Sequence, residues 1–187
     1  MDHQITYGPR DVAAEIVSLP MAKANARIEY SDEDQLLQLY LDAITDEIEN
    51  FCARTFVERE VSIGLSQWSK KFELPVSANV VIDEITYYGV DGVAETLEEG
   101  VDYKMYSYDN GYKQRIIFLS FPELQDLEEN EYPITISAMA GYDSNAMPAD
   151  IKRAALLMFN NAEAYREDMP VHLNRSAQAI LRSHKRY

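Results

Sequence analysis

The sequence has one cysteine, three histidines and seven glycines in 187 residues, and each shortage closes a class of chemistry. Cys52 has no partner for an internal disulfide, and His3, His172 and His184 stand apart from any cysteine cluster with zinc spacing. No run of 18 apolar residues occurs, so no membrane span is expected. The opening "MDHQITYGPRD" lacks a basic stretch followed by an apolar one, and the expectation is a soluble protein made in the cytoplasm. No nucleophile has a histidine partner nearby in sequence, so no catalytic residue, metal ligand or cofactor is assigned.

Basic residues are also scarce, 17 against 32 acids, for a net charge of −15. The deficit is uneven. Residues 151–187 hold seven Lys/Arg against three Asp/Glu, a local +4 that leaves −19 for the other 150 residues. Such a body repels nucleic acid phosphate, while the basic tail suits an acidic partner or DNA.

What is abundant is apolar content, 47% of residues, and a chain of this length buries about 70% of its unfolded surface. "SLPMAKANARI" places Ser18 as an N-cap and Pro20 in the first turn of a short helix over 18–28. Ser31 is the expected cap of a second helix over 32–54, whose first turn carries Asp32, Glu33 and Asp34. Its stripe is Leu37, Leu41, Ile44, Ile48, Phe51 and Cys52. From 55 to 140 the period becomes two. "REVSIGLSQW", "VVIDEITYYG", "VDYKMYSY", "QRIIFLS" and "PITISAMA" read as strands, with "GVDG" and "DNG" as hairpin turns. Whether they close a barrel or form an open sheet is left undecided by the pattern.

The stretch "AGYDSNAMPAD" then turns the chain into a third helix over 148–167. Its single glycine and its Asp143 and Asp150 do not suit a phosphate, and the carboxylate set of a calcium loop is missing. Gly141, Tyr142, Asp143 and Pro148 are therefore read as a structural corner, with Pro148 at the first helical position. In the helix, Leu156, Leu157 and Phe159 supply apolar surface beside the main stripe, to be buried in the fold or against another copy. After Pro170 a short basic helix ends in "RSHKRY" and reads as a peripheral appendage.

The expected fold class is α+β: a helical bundle, made of the long N-terminal-half helix and the C-terminal helices, with an inserted antiparallel β-rich region. The expected divisions are an extension at 1–17, a body at 18–169 with its β-rich insertion at 55–140, and a tail at 170–187.

The order of these features resembles the head-tail connector (adaptor, or head-completion) proteins of long-tailed bacteriophages, prophages and gene transfer agents. The segments that carry it are "VSLPMAKANARIEYSDEDQLLQLYLDAITDEIENFCARTF", "LPVSANVVIDEITYYGVDG" and "PITISAMAGYDSNAMPADIKRAALLMFNNAEAYRED", within about residues 18–168. The resemblance implies a structural, non-enzymatic virion protein in the neck at the head-tail junction. It implies a ring, commonly twelvefold, that binds the portal, extends the channel for double-stranded DNA and docks the next neck, stopper or tail protein. The tail after Pro170 lies outside the resembling segments; its apolar anchors and basic rim give the separate expectation that Leu173, Ile180, Leu181, Arg182, His184, Lys185, Arg186 and Tyr187 dock on the portal, while Leu156, Leu157 and Phe159 are expected to pack between subunits. The acidic composition also admits an alternative, a DNA mimic that occupies the basic groove of a nucleic-acid-binding partner. A carboxylate-based hydrolase is a third reading that no motif supports.

Overall fold

The structure, a computed structural model, describes residues 2–10, 15–76, 79–108, 113–165 and 174–185. The chain divides into two compact units. One comprises Met1–Asp11 and Glu58–Gly141, the other Val12–Val57 and Tyr142–Tyr187.

The first unit is built of strands β1 (His3–Arg10), β2 (Arg59–Leu65), β3 (Lys71–Glu73), β4 (Val80–Tyr88), β5 (Ala94–Thr96), β6 (Tyr103–Tyr108), β7 (Lys113–Phe118) and β8 (Ile134–Ala140). They form a five-stranded sheet of order β1-β2-β8-β4-β5 and a three-stranded sheet of order β3-β7-β6, with every pairing antiparallel. Alternation fixes the register. Ile134, Ile136 and Ala138 of β8 are buried and sit opposite Leu65, Ile63 and Val61 of β2, so a slip of one residue would turn both apolar rows to solvent. In β4 the inward residues run Val80, Ile82, Ile85, Tyr87, out of phase for a plain strand. A bulge between Ile82 and Glu84 absorbs the extra residue.

Phe72, Tyr103, Ile116 and Phe118 from the smaller sheet join these rows in one core. Trp68 packs edge-on against Phe118 and Tyr87, and its indole N–H donates to the Pro122 carbonyl at 2.8 Å. Gly64 is required by close approach, because a Cβ there would lie 2.9 Å from the Cβ of Tyr132. The "GVDG" turn joins β4 to β5 with Gly92 at φ +72, whereas "DNG", between β6 and β7, lies outside the described residues.

The second unit holds α1 (Leu19–Ala26), α2 (Asp34–Cys52), α3 (Ala149–Ala164) and α4 (Arg175–Leu181), the last continuing as a 3-10 turn at Arg182–His184. The stripe of α2 is buried at Leu37, Leu41, Ile44, Ile48 and Cys52, while Phe51 is half-buried. Neither Ser18 nor Ser31 caps a helix through its side chain: Ser18 sits at the N-cap of α1 without that bond, and Glu33 occupies the N-cap of α2. Both helices end in a left-handed non-glycine residue, Arg27 at φ 59 and Ala53 at φ 51, whose N–H groups close the last turn.

The fold corrects the expectation of a helical bundle with a β-rich insertion. Among the described residues there are four α-helices and eight strands in two antiparallel sheets, with helix and strand in about equal measure. The architecture is α+β without a bundle. Helical stripes are strong local signals and dominated the expectation. The pairing of β1 with β2, more than fifty residues later, has no local signature. The five-stranded sheet ends in β1 and β5, so it is open.

Candidate functional site

The corner after β8 is held by backbone and side-chain bonds on both sides of Gly141, which has φ +112. Its N–H donates to the Asn79 carbonyl at 2.9 Å, and its own carbonyl accepts from Asn79 Nδ2 at 2.7 Å. Tyr142 N–H donates to the Phe56 carbonyl at 2.7 Å. Asp143 then closes a turn by accepting from the N–H groups of Asn145 (2.6 Å) and Ala146 (2.9 Å). Those bonds, Ala146 first and then Asn145, hold its carboxyl below the usual range. Lys152 Nζ donates to the Ser144 carbonyl at 2.7 Å. Pro148 is the N-cap residue, one position before the first residue of α3.

Two acids near these helix ends carry structure that the sequence did not reveal. Glu49, buried in the last turns of α2, accepts from the N–H groups of Phe56 (2.7 Å) and Val57 (3.0 Å), and so ties down the chain leaving the helix. Asp150, in the first turn of α3, meets His184 with Oδ2 2.5 Å from Nε2. The imidazole is buried and lies edge-on to Phe56, with ring centroids 6.1 Å apart, while half of the Asp150 side chain is exposed. An acid in the first turn of a helix is a legible signal, but its partner lies 34 residues away.

The tail residues divide sharply. Leu181 and Ala177 of α4 are fully buried in the helical core and His184 is buried beside them, so none offers surface to a partner. Ile180 packs half-buried against the same core. Lys185 places its ammonium 5.1 Å from the centroid of the Phe51 ring. Arg182 is exposed. Leu173, Arg186 and Tyr187 lie outside the described residues. The Cys52 thiol donates to the Leu181 carbonyl at 3.6 Å, and burial pushes it up to about 12, which removes any nucleophilic role near neutral pH. On α3, Phe159 is fully buried in the core of its own unit. Leu156 and Leu157 are partly buried against it and retain some free surface.

Elsewhere, a groove of about 430 Å³ on the five-stranded sheet is lined by Thr6, Ser62, Ser137, Glu60 and Asp83 among others. Among the described residues no group of three His, Cys, Asp or Glu side chains is placed to hold a metal, and no helix is long and apolar enough to cross a membrane. What this geometry offers chemically is packing surface and charge.

Comparison with known proteins agrees with that character. The family model for phage gp6-like head-tail connector proteins matches residues 16–114, just over half of the chain. A search of curated proteins gives no significant match. Among solved structures, the chain is similar to one from the neck of an empty gene transfer agent particle computed with C6 symmetry. There the TM-score is 0.76 at 17% identity, over 97% of this chain and 95% of that one. A chain of the native gene transfer agent virion matches with TM-score 0.75 at 17% identity, over 97% and 94%. One from the neck of the native particle computed with C12 symmetry matches with TM-score 0.68 at 18% identity, over 96% and 94%.

Proposed function

The chain belongs to the phage gp6-like head-tail connector family, and from that premise we propose that it is a structural virion protein which forms a ring in the neck, beneath the portal. The ring extends the DNA channel and gives the next neck, stopper or tail protein a surface to bind. The family match carries this reading. The fold similarity supports it, since the similar chains come from necks computed with C6 and C12 symmetry, and a ring of twelve copies satisfies both.

Charge suits the task. Duplex DNA carries one negative charge per about 1.7 Å, and a conduit must not hold it. A protein of net charge −15 that turns carboxylates to a lumen repels the passing polymer. A ring also needs one face of each subunit to pack head to tail on its neighbour, and Leu156 and Leu157 of α3 are the apolar residues of that helix left for it. For portal docking, the described part of the tail offers its outward side chains, with Arg182 the exposed cation of the 3-10 turn.

Native mass spectrometry of the purified chain, alone and with portal rings of the same particle, tests the proposal. Closed oligomers, free or assembled only on the portal, are expected. A chain that stays monomeric at every concentration and ignores the portal contradicts it.

A further inference from the structure

The sheet unit leaves much of its exposed apolar surface in the segments where it concentrates negative charge. Residues 81–102 hold seven acids and residues 119–133 hold five, with no lysine or arginine in either segment. The same segments expose Val90, Val93, Val101, Leu119, Phe121 and Leu127, each between 48% and 68%. Single exposed apolar residues are ordinary, but this group falls on two segments that the fold stitches together. Gln125 N–H donates to the Tyr88 carbonyl at 2.9 Å and Gly89 forms an isolated bridge with Leu124, which joins the Val90–Val93 turn to the loop segment before Leu127. At a second join, the N–H groups of Leu119 and Ser120 donate to the Asp102 carbonyl at 2.7 and 3.2 Å, next to Val101.

We propose that this surface docks a different protein of the neck, one that presents lysine or arginine around a protruding apolar side chain. The inference rests on the connector reading above and names the chemistry of one partner. Charge selects the occupant. DNA and an anionic membrane are repelled by the carboxylates, and so is the same face of a second copy. The basic stretch of a second copy, around Arg175 and Arg182, fits the charge. It has no exposed large apolar side chain among its described residues to meet the patch, since Leu181 is buried and Ile180 half-buried. What remains is a basic rim enclosing an apolar anchor, the arrangement in which central apolar contacts supply affinity and rim charges supply rate and selectivity.

The test uses the full chain as wild type, as the double variant Phe121→Ala/Leu127→Ala and as Glu128→Lys/Glu129→Lys, all exposed positions. Binding is measured by biolayer interferometry to purified portal rings and to the purified neck protein on the tail side, and self-assembly by mass photometry. Both variants should lose about tenfold or more in affinity for one of the two proteins, with melting temperature and self-assembly unchanged. Wild-type binding to that protein should weaken as salt rises well above about 0.1 M. Variants that bind both proteins as wild type does overturn the surface and leave the connector reading intact. Variants that keep both partners but lose self-assembly overturn it in favour of a second copy. A wild-type chain that binds neither protein overturns the connector reading, and this inference falls with it.

Discussion

The sheet unit and the helical unit spend their apolar residues differently. Ten of the fifteen large apolar side chains exposed among the described residues belong to the sheet unit and five to the helical unit. The helical unit draws one face of its last described helix inward, with Ala177, Leu181 and His184 buried. The charge follows the same division. The sheet unit carries seven bases against eighteen acids, a net −11, and the helical unit ten against fourteen, a net −4. The helical unit keeps fewer apolar side chains outside, Leu39 and Tyr165 among them, while the sheet unit sets twice as many among its carboxylates, the combination on which the docking proposal rests.

One phenylalanine in each unit gives the sharpest contrast. Phe159 is fully buried, and Phe159→Ala should cost about 3–5 kcal/mol in urea unfolding through lost burial and a cavity. Phe121 is half exposed, and Phe121→Ala should cost less than about 1 kcal/mol. Equal costs would erase the distinction between the units.

Next in size is Glu49. Replacing it with alanine leaves the N–H groups of Phe56 and Val57 without their acceptor, at about 1–3 kcal/mol for each group that finds no other. The denaturant midpoint should drop accordingly. A Glu49→Ala protein as stable as wild type would mean that the chain leaving α2 is held by packing alone.

Asp143 predicts an acid limb. Its folded carboxyl titrates below the unfolded value because Ala146 and Asn145 donate to it. A depressed acid contributes stability above its unfolded value, near 3.8, which is lost as pH falls through the folded one. Melting temperature followed from neutral pH down through that window should fall less in Asp143→Asn than in wild type. Parallel curves would remove the carboxylate from the account of the corner.

The smallest effect has the opposite sign. Ala53 ends α2 in the left-handed region at φ 51, so Ala53→Gly should raise stability by a few tenths to about 1 kcal/mol, once relief of strain is set against the added freedom of the unfolded chain. A loss of stability would show that the Ala53 methyl group packs better than its backbone angle suggests.

Much of this was legible in the sequence wherever one local period decides. The α2 stripe from Leu37 to Cys52 and the alternation in "ITISAMA" emerge as read. Period shows which face is apolar but not what covers it. That is why Leu181 and Phe159, expected on partner surfaces, pack in the core of their own unit. The Asp150–His184 and β1–β2 contacts join distant residues through the closed fold, which no local pattern encodes. The exposed patch was hidden for a related reason: Val90, Phe121 and Leu127 sit in turns and loops, outside any periodic stripe.

Electron cryomicroscopy of the chain assembled on portal rings tests the central claim most directly. The connector account predicts a closed ring of this fold against the portal, coaxial with its channel, with carboxylates facing the lumen. Portal rings that show no added density at saturating chain, or bind scattered single copies without closure, would contradict it.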